Sequence, residues 1–149
     1  MRFGSEIPLT DEEIIEALTL AHVWHNIVEF PDGLDTLLGE LGVNLSGGQK
    51  QRISIARALV RKPKLLILDD CLSAVDTETE EIILNNLQQL PYKPAVIMIS
   101  HRISTLRICD NILVLDDGHS KEYGNPDQLM AQKGLYYEMV RQQVEDRKS

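Results

Sequence analysis

The sequence predicts an α/β fold in which a mostly parallel sheet is covered by helices and preceded by a helical segment. Two apolar runs, at 65–68 and 95–99, have the length and composition of buried strands. A stretch of helical spacing lies between them, so strand, helix and strand alternate through short connections, as parallel pairing requires. Upstream of residue 65 the chain carries helix-start signatures and turn formers instead.

Each element follows from its local pattern. In PLTDEEIIEALTLAHVWHNIVEF, Thr10 and Glu13 form a capping box, and Ile14, Leu18, Ala21 and Val28 follow at helical spacing. That predicts one amphipathic helix of about five turns. His22 and His25 stand three residues apart on it, but no third metal ligand follows, so both read as packing or surface residues. FPDGLDTLLGELG, residues 30–42, is rich in turn formers and reads as a loop. Ser46 and Gln49 form a second capping box, opening a helix that runs to about residue 60. Strand 65–68, helix 77–90 and strand 95–99 come next. A short helix at 103–108 and a strand at 111–115 lead into the turn DDGH and a last strand near 121–123. Helices at 126–131 and 135–144 finish the pattern, and the charged RQQVEDRKS is expected to fray.

Composition bounds the function. A chain of 149 residues with 43% hydrophobic content suits one globular, soluble domain with a real core. A net charge of −8 excludes a sequence-independent nucleic-acid binder, which needs a basic surface to displace counterions. Cys71 and Cys109 have no C-x-x-C spacing and read as reduced structural thiols. No apolar run approaches the roughly 18 residues of a membrane span, and MRFGSEIP lacks a signal peptide's apolar core. Any membrane association therefore goes through a partner.

Two stretches carry chemistry. In LSGGQ, Leu45, Ser46, Gly47, Gly48 and Gln49 begin a helix whose first N–H groups are unpaired and whose positive dipole end is exposed. Two glycines there let backbone approach a phosphate, with the Ser46 hydroxyl and Gly48 N–H as donors. On its own the pattern fits a structural helix start equally well. In LLILDDCLSAVD a strand delivers Asp69 and Asp70 to its carboxyl end, where open α/β sheets gather ligands. The second acid is by itself either a catalytic base or a solvated loop residue.

Taken together, LSGGQ, QR with ARAL, LLILDD, LSAVD and ISH, in that order across residues 36–101, resemble the nucleotide-binding domain of ATP-binding cassette (ABC) transporters. The resemblance implies a P-loop NTPase-type fold with an α-helical signature subdomain at about 8–61. Residues 62–149 would hold the Walker B and switch-histidine part of the core and the C-terminal helices, all within one domain. Leu45, Ser46, Gly47, Gly48 and Gln49 match the signature motif, which reaches the γ-phosphate of ATP held by an opposite domain. Asp69 matches the Walker B carboxylate that supports Mg²⁺. Asp70 stands where the family has a glutamate general base. Asp76 closes the D-loop and can also cap the following helix. His101 matches the switch histidine on the γ-phosphate. TLLGELG, with Glu40 in register and Leu38 and Leu41 off the usual pattern, resembles the loop of exporter-type members that meets the coupling helices of a transmembrane domain.

The phosphate cradle G-x-x-x-x-G-K-[ST] does not occur in the 149 residues, nor do the adenine-stacking aromatic and the glutamine loop. The chain thus resembles the C-terminal portion of the domain, lacking the Walker A half. The implied function is part of the ATP-hydrolysing subunit of a membrane exporter, using ATP and Mg²⁺. Its partners would be a second nucleotide-binding domain and transmembrane coupling helices, on the cytoplasmic side of the membrane. Alone, the chain is expected to be inactive. The alternative is a degenerate-site module of a heterodimeric transporter, since Asp at position 70 is one methylene short of Glu; an intact His101 stands against it.

Overall fold

The fold is described from a computed structural model that covers residues 8–38 and 43–146. The chain divides into two compact units, Met1–Ile99 and Ser100–Ser149. The first holds α1 (Asp11–Leu20), α2 (Trp24–Ile27), a 3₁₀ turn (Gly33–Asp35), α3 (Gly47–Leu59), β1 (Leu65–Asp69), α4 (Thr77–Gln88) and β2 (Ala95–Ile99). The second holds α5 (Ile103–Leu106), β3 (Ile112–Asp116), β4 (His119–Gly124), α6 (Pro126–Gln132) and α7 (Leu135–Asp146).

In the first unit both helix-start signatures form as full capping boxes, Thr10 with Glu13 and Ser46 with Gln49. The expected five-turn helix does not form, because the chain breaks at His22. His22 adopts φ 52°, the left-handed region that glycine favours at helix ends. Its N–H donates to the Thr19 carbonyl (2.9 Å), and the Val23 N–H donates to the Leu18 carbonyl (2.9 Å). These two bonds are a Schellman motif, with Leu18 and Val23, both buried, as its apolar pair. Arg52 of α3 locks the break: its guanidinium donates to the His22 carbonyl and, at 3.1 Å, to Asn26 Oδ1. Helix α1 packs on α3 and α4, burying Ile14, Ala17, Leu18, Ile55, Leu59 and Leu84. Each large aliphatic among them contributes roughly 1.5–3 kcal/mol by leaving water.

Strands β1 and β2 pair in parallel, with Leu65 opposite Ala95 and Asp69 opposite Ile99. Leu66 and Leu68 are buried on one face. The other face keeps Leu65, Ile67, Ile97 and Ile99 about half exposed, at 51%, 58%, 49% and 50%. Parallel sheets are ordinarily covered on both faces. A contiguous aliphatic face of this kind marks a surface that a covering layer would bury.

The second unit is a hairpin with helices around it. β3 and β4 are antiparallel, joined at Asp117 (φ 48°) and Gly118 (φ 72°), the pair of positive φ angles that a tight hairpin turn needs. Ile112, Val114, Leu129, Tyr136 and Val140 form its core. Asn125 and Gln128 cap α6, and the Glu122 carboxylate accepts from the Leu135 and Tyr136 N–H groups (2.6 and 3.0 Å), capping α7 from a distance in sequence.

Two outcomes follow from these features. Burial first, then the neighbouring His25 and Arg52 charges, hold the His22 pKa below the ordinary histidine value, so protonation favours the unfolded chain. Stability is therefore fully present above about pH 6.5 and falls as pH drops below it. His22→Asn, which tolerates the left-handed region, should flatten that slope in denaturant titrations, and an unchanged slope would count against this origin. Secondly, the chain should self-associate through its aliphatic sheet face. Replacing Ile67 and Ile97 together by Lys should lower the weight-average mass in sedimentation while far-ultraviolet circular dichroism is kept; unaltered association would place the contact elsewhere.

Candidate functional site

The N-terminus of α3 is built by its own first four residues. The Gln49 N–H donates to Ser46 Oγ (3.2 Å), and the Ser46 N–H donates to Gln49 Oε1 (2.9 Å). Gly47 and Gly48 occupy the first two helical positions, whose N–H groups have no acceptor within the helix. Leu45, Gly48 and Gln49 are partly buried, whereas Ser46 and Gly47 are exposed. An exposed helix start with unpaired donors and a hydroxyl that can still donate can bind an anionic oxygen.

Gly48 also has a duty inside the chain. A Cβ there would stand 2.7 Å from the Ala74 carbonyl oxygen and one on Gly47 would stand 3.4 Å from Ala74 Cβ, so residues after β1 lie directly on the start of α3. A third residue, Gln51, completes the contact. Its Nε2 donates to Ser73 Oγ (2.8 Å) and, at 3.4 Å, to the Asp70 carbonyl. Its Oε1 accepts from the Ala74 N–H (2.9 Å). The sequence marks Gln51 only as the first residue of the QR run after LSGGQ and attaches no contact or role to it.

Asp69 ends β1 and is exposed. Asp70, also exposed, takes φ 46°, an uncommon conformation for a residue with a Cβ. It is held at both backbone ends: its N–H donates to the Ile99 carbonyl (2.9 Å), and its carbonyl accepts from Ser73 Oγ (3.0 Å). Cys71 is more than half buried, and burial, followed by the Asp70 and Asp69 charges, pushes its thiol up to about 11. It is an inert packing group at neutral pH. Asp76 caps α4, accepting from the Thr79 N–H (2.9 Å), and that bond holds its carboxyl below the usual range. The structural duty expected of Asp76 is thus present.

The first unit therefore brings Gly47 and Gly48, flanked by Leu45, Ser46 and Gln49, against Ala74 in the segment that carries Asp70 and Asp76, with Asp69 just before it. His101 belongs to the second unit. Its ring is exposed, and its carbonyl accepts from Gln143 Nε2 of α7. Gln143 Oε1 accepts in turn from the Ile103 N–H (2.9 Å), so one amide spans the segment 101–103. Glu40 lies outside the described residues; beside it Leu38 and Val43 form an isolated parallel bridge. A cavity of about 480 Å³ between α1 and the C-terminal ends of α3 and α4 shares none of these residues. Among the described residues no cluster of three or more His, Cys, Asp or Glu side chains could hold a metal by itself.

The chain is similar in sequence and fold to known proteins. The family model described as "ABC transporter" matches residues 8–73. ABC transporter B family member 4 of Dictyostelium discoideum is 44% identical over 144 residues, which is 97% of this chain and 19% of that protein. Human ATP-binding cassette sub-family B member 5 is 47% identical over 96% of this chain and 11% of its own length. The ATP-dependent lipid A-core flippase of Shewanella oneidensis is 47% identical over 91% of this chain and 22% of its own. A solved bacterial Atm1-family ABC exporter with ATP bound superposes with a TM-score of 0.85 at 41% identity, covering 91% of this chain and 24% of that one. The chain thus spans less than a quarter of the length of each of these relatives.

The capping box yields a direct test. Ser46→Ala should lower unfolding stability by about 0.5–2 kcal/mol, and Ser46→Asp should restore most of it. An unchanged denaturant midpoint in Ser46→Ala would show that the box adds nothing.

Proposed function

We propose that this chain is part of an ABC nucleotide-binding domain of the exporter type and that it contributes to two ATP sites at once. Its signature residues, Leu45 to Gln49, serve a nucleotide held by a second nucleotide-binding domain. Asp69, Asp70 and His101 serve the nucleotide of its own domain. The observation that carries the reading is the packing of Gly48 against Ala74, which seats the signature helix and the acid-bearing loop on one another within a single unit.

The chemistry asked of each group is modest. Phosphoryl transfer relies on positioning and charge neutralisation more than on covalent work by the protein. Asp70 orients and deprotonates water, with the His101 ring donating to the γ-phosphate. Ser46 and Gly48 donate to the phosphate across the dimer. Asp69, a lone carboxylate at a strand end, suits Mg²⁺, which keeps several waters and needs only one or two protein ligands beside phosphate oxygens. When bound, that ion neutralises charge on the phosphates. The residues fit a metal that arrives with nucleotide, not a free-standing metal site. Coupling to transport would run through a transmembrane partner on the cytoplasmic face; no described helix is long and apolar enough to cross a membrane.

Asp70 favours a second, narrower reading. A carboxylate one methylene shorter than Glu sits about 1 Å from the position a base needs, and such a displacement can cost about a hundredfold in rate. The chain would then be the weaker half of a heterodimer whose intact signature supports the partner's competent site.

Without a glycine-lysine phosphate loop in its 149 residues, the purified chain should show no Mg²⁺-dependent ATPase. Turnover by the chain alone, lost in Asp69→Asn, would overturn the proposal. Combined with a Walker A-bearing N-terminal half domain, it should regain ATPase that Asp69→Asn abolishes. In that assembly Asp70→Glu should raise turnover severalfold, whereas equal or lower turnover would remove the case for a weakened site.

A further inference from the structure

Gln51 is the residue whose contacts reach furthest beyond its local sequence. It lies one helical turn after Gly48, and through its three hydrogen bonds its side-chain amide meets Asp70, Ser73 and Ala74, residues 19 to 23 positions downstream. Both Nε2 hydrogens and the Oε1 acceptor are used, so the amide cannot be exchanged for a group with donors only or acceptors only without loss. Asp70 is the residue in this loop with most to gain from such support. Its left-handed backbone is uncommon for a side-chain-bearing residue, and such conformations persist where the surroundings over-determine them. The Ile99 carbonyl fixes its N–H; Ser73 and Gln51 fix its carbonyl. The carboxylate itself remains exposed.

We propose that Gln51 is a positioning residue for Asp70, fixing the loop that carries this chain's water-activating carboxylate to the helix whose first turn serves the opposite ATP. The inference rests on the roles given above to Asp70 and the signature. Its consequence is that the two half-sites share a hydrogen-bonded joint within a single chain: a shift of α3 on meeting a phosphate moves the acceptors and donors that hold residues 70–74. Gly48 makes the joint close enough to work, since any side chain there would push Ala74, and with it the loop, off the helix. The contact acts through Asp70, so Gln51 itself touches no reacting atom.

The test has two arms. In the full 149-residue chain, Gln51→Leu, close in size but without polar atoms, should speed amide exchange at Ala74 by about tenfold, the scale of one lost hydrogen bond. Exchange at Ile55 and Ala56 in the body of α3 should not change. Gln51→Glu keeps an acceptor for the Ala74 N–H but loses both donors, so Ala74 should be protected more than in Gln51→Leu and less than in the native chain. Unchanged Ala74 exchange in Gln51→Leu would overturn the proposal, and this arm reads out whether or not any ATP is hydrolysed. In the assembly with a Walker A-bearing half domain, Gln51→Leu should lower kcat about tenfold with KM for ATP within about twofold, the split expected of a group that acts only on the chemical step. A rise in KM with kcat unaltered would equally overturn it. If the native assembly has no ATPase, the functional assignment of Asp70 fails while the exchange arm still decides the placement.

Discussion

The contact on which the rest of the site depends is the seating of residues 70–75 on the first two turns of α3. It is a backbone-to-backbone approach that only glycine at position 48 permits, because a Cβ would fall 2.7 Å from the Ala74 carbonyl. The glycines of this helix start thus answer two demands. They leave the helix terminus open to an anionic oxygen, and they let the following loop lie flat against the helix. Once the loop is seated, Gln51 and the Ile99 carbonyl fix Asp70 at both ends of its peptide unit, and Asp76 starts the next helix.

Support for α3 comes from the opposite direction. Arg52, the residue after Gln51, reaches back to the turn between α1 and α2, so adjacent residues of one helix grip two different parts of the unit. The guanidinium serves backbone and amide oxygens and carries a pKa lowered first by burial. Hydrogen bonds to a charged donor are worth more than neutral ones, about 1.5–3 kcal/mol each, and here they hold a turn in which His22 stands where glycine is usual. Helix α3 is therefore fixed along its length by packing and in its first two turns by directed polar contacts. The aliphatic face of β1 and β2 lacks a comparable cover among the described residues, which makes the sheet the part of this unit that most needs a partner surface.

Features whose cause is local were legible in the sequence. The capping box at Ser46, the strands ending in Asp69 and Ile99, and the hairpin at Asp117 and Gly118 each depend on residues within about four positions of one another. The parallel pairing of β1 with β2 followed from strand–helix–strand order, and the ABC family from the order of its motifs. The break at His22 was hidden because a Schellman motif is signalled by glycine, whereas here histidine takes the left-handed position and tertiary bonds from Arg52 secure it. The clamps made by Gln51, though it belongs to the QR run, and by Gln143 were hidden for a related reason. Each uses a side-chain amide to hold a segment tens of residues away, and glutamine on a helix surface has no pattern that distinguishes such a clamp from solvation.

The central claim is that one short helix start faces a nucleotide held elsewhere while the loop seated on it serves the chain's own domain. The most direct measurement is a ¹⁵N–³¹P dipolar coupling between the Gly48 amide nitrogen of labelled chain and the γ-phosphorus of ATP, recorded in an assembly with Walker A-bearing domains. The account predicts a coupling that is present only when the opposite domain is loaded. A Gly48 nitrogen that couples to no γ-phosphorus, or that couples equally to nucleotide in the absence of a second domain, would contradict it.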